Sequence, residues 1–371
     1  MMCPPRHFFI LLLLNLFFCR TAHASFEHLE TSSRAMGMGG AFTALSSSSF
    51  AIFYNPAGQA LLSSREAGFF YTHYYGFDEL SQFSASYTDP VLLPTGAGTI
   101  GLGVKQYGFE LYRETTFAIS YANSFERKFF YALTATYNHL TIQGYGNDAA
   151  VGIDAGVLAL ITPSLSIGFS ALNLNRPTLS ASNEPLAQSY TLGLCYHLSK
   201  ELRVLADAEK DPRFPLMIKS GVEFDPIPIL SLRGGFSSEP SRISAGIGLH
   251  YGMFNIDYAL ATHPDLGITH FGSVSVYFGN KGSKPQVYGG LGEVIDKAFS
   301  AEEKIDLNSA GASDLLELPG ITRQLAQRIL MYREEYGAFK SVSELLRIRG
   351  ISEDVFDAIK ESVTVGEVTD E

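Results

Sequence analysis

Two short segments near the end of the chain repeat one pattern of leucines, a glycine and a hydroxyl residue. The first reads LLELPGIT over residues 315–322, and the second reads LLRIRGIS over residues 345–352. Each segment predicts a helix, a tight turn at Gly320 or Gly350, and a second helix. Backbone N–H groups at the start of such a second helix, together with the helix dipole, can hold a phosphate oxygen. The repeat therefore predicts two anion-binding turns.

The sequence around these turns extends the pattern over residues 303–366. It contains, in order, L-N-x-A, L-P-G-I, A-x-x-I, Y-R-E-x-x-G-x-F and L-x-x-I-x-G-I. This stretch resembles the tandem helix-hairpin-helix domain of the ComEA competence proteins. The resemblance implies a small all-α domain that binds the backbone of double-stranded DNA without reading its sequence. It also implies a set of phosphate-binding residues: Gly320, Ile321, Thr322, Arg323, Gly350, Ile351 and Ser352.

This region also differs from a typical DNA-binding module. Thr322 and Ser352 stand where the family usually has a second glycine, although both can cap the helix that follows. Glu353 and Asp354 come directly after the second turn and would repel a phosphate. Residues 303–365 hold eight Lys and Arg against eleven Asp and Glu, whereas DNA-binding modules are usually basic. The alternative interpretation is a module that docks a periplasmic or secretion-system protein.

The preceding part of the chain, residues 66–279, predicts a mainly β domain. In FGSVSVYFG, residues 271–279, valine and phenylalanine alternate with serine and tyrosine. Such a period of two, found again in most of the region, is typical of strands with one face in lipid and one in a polar lumen. Most segments are close to the ~9–11 residues that a tilted spanning strand needs. We predict a 14-stranded antiparallel transmembrane β-barrel with strands near 66–75, 80–88, 98–107, 110–122, 127–140, 149–160, 164–174, 187–197, 201–210, 215–224, 229–237, 242–251, 253–262 and 269–278.

Seven of the charged residues within these segments fall on the polar face. They are Arg203, Asp207, Lys219, Glu223, Arg233, Arg242 and Asp257. On the lipid face, each would cost up to about 2–4 kcal/mol near the bilayer midplane. We therefore expect them to form an ion-pair network inside the barrel, with one another or with the segment that precedes the strands.

That preceding segment, residues 32–62, is rich in glycine and small residues and contains the turn signal Asn55-Pro56-Ala57-Gly58. Its GMGG sequence at 37–40 lacks the spacing of a dinucleotide-binding loop. The segment resembles the opening of FadL-like outer-membrane barrels, including the PorV branch. The resemblance implies that residues 25–65 form an N-terminal plug inside the barrel. A surface loop with a short helix is the alternative.

Residues 1–24 predict a signal peptide. Arg6 precedes an apolar core at 8–18, and Ala22-His23-Ala24 is a small-x-small cleavage site. Cleavage there would leave Cys195 alone in the mature chain, so no internal disulfide is expected.

The lengths of the connections between strands predict the orientation of the barrel. Tight turns at 162–164, 199–200, 225–228 and 252 alternate with longer connections at 141–148, 175–186, 211–214, 238–241 and 263–268. Short turns are usual on the periplasmic side. An even number of strands puts the first and last residues of the barrel segment on that same side. We expect a barrel in the bacterial outer membrane, a linker at 280–302, and the helical domain, 303–366, in the periplasm.

The formal net charge of −11 gives the whole chain no general attraction for nucleic acid, so binding would have to be local. The expected function is to hold double-stranded DNA beneath the outer membrane during uptake. The alternatives are FadL-like transport of hydrophobic molecules and a PorV-like accessory role in secretion, with the helical domain docking a protein. The expected partners are outer-membrane lipid and DNA. No enzymatic activity, catalytic residue, metal site or cofactor is expected.

Overall fold

The computed structural model describes residues 26–90, 98–278, 305–316, 318, 320–360 and 362–366. The predicted signal peptide, 1–24, and the predicted linker, 280–302, lie outside the described residues. The chain divides into two compact units, residues 1–298 and residues 299–371.

Fourteen antiparallel strands close into a barrel, which confirms the predicted fold. Each strand pairs with its neighbour in the sequence, and the first and last strands close the ring from Arg65 opposite Phe278 to His73 opposite His270. The strands are β1 (Arg65–His73), β2 (Ser81–Asp89), β3 (Thr99–Gly108), β4 (Tyr112–Phe125), β5 (Phe129–Ile142), β6 (Gly146–Thr162), β7 (Leu165–Leu172), β8 (Ser189–His197), β9 (Leu202–Lys210), β10 (Met217–Ile227), β11 (Leu230–Ser238), β12 (Ser241–Tyr251), β13 (Phe254–His263) and β14 (Gly267–Phe278).

The two faces of the barrel wall differ as the alternation predicts. In β4, Phe117 and Ile119 are 53% and 55% exposed, whereas Thr116 and Ser120 point inward and are buried. An apolar outer wall matches a lipid environment, and the polar inner wall needs partners inside the barrel.

The lumen is filled by residues 26–62, nearly all of which are buried. They form helix α1 (Ser33–Gly37) and two 3₁₀ segments, Ser49–Phe53 and Pro56–Leu61. Asn55 begins the second of these, because its side-chain oxygen accepts a hydrogen bond from the Ala57 amide at 3.2 Å. We call residues 26–62 the plug.

Glycines on the inner wall allow the plug backbone to approach the strands. A Cβ at Gly168 of β7 would lie 2.3 Å from the Thr43 carbonyl oxygen, and one at Gly235 of β11 would lie 2.1 Å from the Gly39 amide nitrogen. Glycine within a strand often marks a site where another backbone approaches closely. The inward glycines therefore shape the lumen around the plug.

Strand connections agree with the prediction at one end of the barrel and depart from it at the other. The end that holds Arg65 and Phe278 has short turns at 163–164, 198–201, 228–229 and 252–253. At the opposite end, the strands extend further than predicted and leave short connections at 143–145, 239–240 and 264–266. The connection at 173–188 is long, as predicted.

The C-terminal unit is mainly helical, as predicted. Its elements are β15 (Ile305–Asp306), α2 (Ala312–Leu315), α3 (Arg323–Tyr336), a 3₁₀ segment (Val342–Arg347), α4 (Glu353–Ile359) and β16 (Val363–Thr364). The two-residue strands β15 and β16 pair in parallel, a feature that the all-α prediction omitted. Among the described residues, no helix combines the length and the apolar character needed to cross a membrane.

A single apolar core holds this unit together. Helical stripes from both repeats enter it, and it includes Phe339, which is fully buried. Its buried members are Leu307, Ala310, Leu315, Leu318, Ile321, Leu325, Ala326, Ile329, Phe339, Leu345, Ile348, Ile351, Ile359 and Val363.

Candidate nucleic-acid interface

The first hairpin turn has the backbone geometry that its sequence predicts. Gly320 adopts a φ of 79°, a conformation that favours glycine. Thr322 caps α3, because its side-chain oxygen accepts a hydrogen bond from the Leu325 amide at 3.3 Å. Ile321 is buried and its amide donates to the Leu318 carbonyl at 3.2 Å, so this amide is already used within the turn. Among the described residues, the amides of Thr322 and Arg323 have no acceptor.

The second turn repeats this geometry residue for residue. Gly350 has a φ of 105°, and Ser352 caps α4 by accepting from the Val355 amide at 3.3 Å. Ile351 is buried, and its amide donates to the Ile348 carbonyl at 3.1 Å. The helix that follows has seven residues, against fourteen in α3, and it begins with an acidic residue, Glu353.

Each turn packs against the helix of the other repeat. A Cβ at Gly320 would lie 3.6 Å from a methyl group of Val355 in α4, and one at Gly350 would lie 3.1 Å from a methyl group of Leu325 in α3. Leu325 and Val355 each stand five residues after their own glycine, so the packing is reciprocal. The two hairpins thus form one body related by approximate two-fold symmetry.

The arginines around the turns have different structural roles. Arg323 and Arg349 are exposed, and no described residue pairs with either guanidinium. Arg328 donates from Nη1 to the Arg349 carbonyl oxygen, beside the second turn. Arg347 lies 3.5 Å from Glu344, with an exposed side chain. Arg333 binds backbone carbonyls of the domain, among them that of Asn308 at 2.8 Å, and so serves the fold.

Asp306 joins the two ends of this unit. Its carboxylate accepts hydrogen bonds from the Gly366 amide at 2.9 Å, the Asn308 amide at 3.1 Å and the Ser309 hydroxyl at 2.9 Å. The bond from Gly366 and the others favour the ionised form, so they hold the pKa of Asp306 below its usual value. The carboxylate therefore contributes to the folding of this domain.

Inside the barrel, the predicted ion-pair network is present and extends into the plug, although among the described residues Arg242 forms no ion pair in it. Glu223 lies between Arg34, Arg203 and Arg233 at 2.8, 3.4 and 2.8 Å. Sequence reasoning did not name Arg34 as a partner, although it is the one charged residue within 31–62. A single charge in a segment of small and apolar residues could have indicated it.

A second part of the network surrounds Lys219. Its ammonium lies 3.2 Å from Glu30 of the plug and 2.7 Å from Glu209 of β9. Asp207 instead accepts the amides of Phe42 and Thr43, both at 3.0 Å. These contacts use inward charges to hold the plug, as expected of a filled lumen.

Comparisons with known proteins separate the two units in the same way. A family model described as a helix-hairpin-helix motif matches residues 300–364. ComE operon protein 1 of Bacillus subtilis (strain 168) is 31% identical over 90 residues, which cover 24% of this chain and 44% of that protein. Endonuclease/exonuclease/phosphatase family domain-containing protein 1 of Xenopus laevis is 37% identical over 65 residues, which cover 18% of this chain and 12% of that protein. The chain thus spans less than half the length of these curated relatives.

The barrel is similar in fold to solved hydrocarbon channels. The CymD monoaromatic hydrocarbon channel matches with a TM-score of 0.52 and 12% identity, over 68% of this chain and 99% of that chain. The TodX monoaromatic hydrocarbon channel deltaS2 mutant matches with a TM-score of 0.53 and 11% identity, over 69% of this chain and 100% of that chain. A Pseudomonas aeruginosa FadL homologue matches with a TM-score of 0.45 and 11% identity, over 67% of this chain and 98% of that chain. The predicted resemblance of the C-terminal region to ComEA is confirmed, and the predicted resemblance of the barrel to FadL-like barrels is confirmed in fold alone.

Proposed function

We propose that this protein is a bacterial outer-membrane barrel that carries a periplasmic helix-hairpin-helix domain, which binds double-stranded DNA without sequence preference during DNA uptake. The observation that carries the proposal is the pair of reciprocally packed glycine turns in the region that matches the helix-hairpin-helix family. Two such turns on one rigid body can contact the backbone of one duplex, and backbone contacts position DNA without reading bases.

The first turn is the stronger of the two proposed phosphate sites. Among the described residues, the amides of Thr322 and Arg323 have no acceptor, so they are available to a phosphate at the start of a fourteen-residue helix, and the exposed Arg323 adds a positive charge. Gly320 and Ile321 shape this turn, and Gly350, Ile351 and Ser352 shape the equivalent turn of the second repeat. Few phosphates would be neutralised, so affinity should be weak and should decline shallowly with salt.

In this proposal the barrel is an anchor. Plug residues occupy the lumen, and Arg34 and Glu30 of the plug form buried ion pairs with Glu223 and Lys219 of β10. Breaking such buried pairs is costly, which supports a plug that stays in place. The short turns at the barrel end that holds Arg65 and Phe278, together with the long connection 173–188 at the opposite end, support a periplasmic location for the first end and for the DNA-binding domain.

DNA binding by the purified protein tests this function. The intact chain in detergent should bind a short labelled duplex at low salt, and a chain that lacks 299–371 should not. Arg323→Glu should abolish most binding, whereas Lys360→Glu, with the same charge change on an ion-paired residue of the last turn, should bind like the wild type. If the intact chain and the truncated chain behave alike, the DNA function is wrong, and protein docking in secretion becomes the better interpretation.

One observation favours a second candidate function, the binding of an amphiphilic molecule for transport. A cavity of about 520 Å³ lies at the barrel end opposite Phe278, with Tyr74, Tyr107 and Met217 in its lining. Arg242 also lines the cavity, and among the described residues its Nε has no hydrogen-bond partner. An anionic head group could bind Arg242 with an apolar tail against the tyrosines. Tyrosine fluorescence on addition of a fatty acid, with Arg242→Gln as the control, tests this alternative.

A further inference from the structure

We propose that Arg328, a residue of the first hairpin, provides the cation that contacts phosphate at the second hairpin turn. This inference rests on the proposed DNA binding and deepens it, because it assigns a composite site across the two repeats.

The position of the guanidinium carries the proposal. The side chain of Arg328 extends from α3, and its Nη1 donates a hydrogen bond to the carbonyl oxygen of Arg349, the residue before the second glycine. A Cβ at Gly350 would lie 2.8 Å from that same Nη1, so the guanidinium lies directly against the turn. The side chain of Arg328 is nonetheless exposed. It is therefore held at the surface of the second hairpin by a residue of that hairpin.

Comparison of the two repeats shows that the second helix lacks the cation that follows the first glycine. Three residues after the glycine, the first repeat has Arg323, whereas the second has Glu353, which opposes an anion. Eight residues after the glycine, the first repeat has Arg328, whereas the second has Ala358. Because the packing is reciprocal, Ala358 is the residue of the second repeat that corresponds to Arg328. Alanine carries no charge, so the first turn receives no cation from the other repeat, whereas the second turn receives that of Arg328. After its glycine, each turn thus has one arginine, supplied by its own helix in one case and by the other repeat in the other, and the second turn also has the exposed Arg349 before its glycine.

The chemistry of arginine suits this double role. A guanidinium carries five N–H donors in a rigid fork and stays charged at any physiological pH. One donor of Arg328 is used on the Arg349 carbonyl, and this bond fixes the orientation of the group. The other donors can bind a phosphate oxygen, and charge-assisted bonds of this kind are the strong ones.

The test measures the salt dependence of duplex binding by the intact chain. Arg328→Gln keeps a donor for the Arg349 carbonyl but removes the charge, and Arg328→Lys keeps the charge. We expect Arg328→Gln to lower the slope of log K against log salt by about 0.9, the value for one lost phosphate contact. Arg328→Lys should retain the wild-type slope. Arg347→Gln, which removes an exposed, ion-paired arginine of the same domain, is the matched control and should leave the slope unchanged.

The possible results are distinguishable. If Arg328 only supports the turn, Arg328→Gln will keep the wild-type slope, and the inference is wrong. If Arg328→Gln and Arg328→Lys lose the same amount of slope, charge is not the cause, which also overturns it. If the wild-type chain binds no better than the chain without 299–371, the proposed function itself fails and this inference fails with it. Hydrogen exchange of peptides from 305–366 shows whether each variant domain is folded.

Discussion

Arg34 of the plug and Glu223 of β10 form a two-pronged ion pair inside the barrel. The Nε–Oε2 and Nη2–Oε1 distances are both 2.8 Å, and both side chains are almost completely buried. The two residues are 189 positions apart in the sequence. The pair therefore connects the plug to the barrel wall. A substitution that breaks it tests how firmly the plug is held.

Removal of one partner of this pair should destabilise the barrel. Arg34→Ala removes two buried charge-assisted hydrogen bonds from Glu223, which keeps Arg203 and Arg233 as partners, so the cost should be smaller than the ~3–5 kcal/mol of a buried charge left without a partner. The temperature at which the folded band disappears in a heat-modifiability gel should fall. Arg65→Ala is the control, because Arg65 lies 3.0 Å from Asp89 but is 45% exposed, so its loss should change little. Equal effects of the two changes would contradict the buried-pair interpretation.

Plug residues should be protected from reagents in intact cells. Ala41 and Ala57 are fully buried in the lumen, so cysteines placed there should not react with a membrane-impermeant thiol reagent. Tyr145→Cys is the positive control, because Tyr145 is 90% exposed at the barrel end opposite Phe278. The native Cys195 is buried and should give a low background. Rapid labelling at position 41 would show that the plug leaves the lumen.

A side chain at an inward glycine should displace the plug. Gly168→Leu places a Cβ 2.3 Å from the Thr43 carbonyl oxygen, so the backbone there must move. In the Ala41→Cys background, this change should make the thiol reactive. Gly272→Leu is the control, because the nearest atom to a Cβ at Gly272 is 4.0 Å away, and the thiol should stay protected. Protection in both variants would mean that the plug tolerates the displacement.

The two hairpin glycines should differ in their structural importance. A Cβ at Gly350 would meet Arg328 and Leu325 at 2.8 and 3.1 Å, whereas a Cβ at Gly320 would meet only Val355, at 3.6 Å. Both substitutions also strain a positive φ, which costs an L residue about 1–2 kcal/mol. Gly350→Ala should therefore accelerate hydrogen exchange across 305–366 more than Gly320→Ala does. The reverse order would contradict the reciprocal packing of the repeats.

Acid should weaken the C-terminal domain through Asp306. The folded pKa of Asp306 is lowered by the hydrogen bonds from Gly366 and its neighbours, so its stabilisation is present above the ordinary aspartate pKa. It is lost as the pH falls through the lowered pKa of the folded state. Hydrogen exchange of 305–366 should accelerate below about pH 4 in the wild type. Asp306→Asn should start from a lower stability and respond less to the same change in pH, and an equal response would show that other carboxylates dominate.

The strands and the turns could be predicted from the sequence because both are local patterns. Alternation of period two identifies a strand and assigns its faces wherever one face meets lipid, and all fourteen strands follow from it. The glycines at 320 and 350 and the hydroxyl residues after them likewise predict two capped hairpins, since turn and cap geometry depend on a few adjacent residues.

The tertiary structure alone decided which distant residues meet. The alternation of polar and apolar residues predicts that Glu223 points into the barrel. Its pairing with Arg34 depends on the path of the plug through the lumen. In the sequence, Arg328 is one of several basic residues of the domain. Only the packing of the two repeats against each other shows that it lies at Gly350. Local patterns determine the conformation and the faces of each element, whereas contacts between elements depend on packing in three dimensions, and both the plug contacts and the composite turn arise from packing.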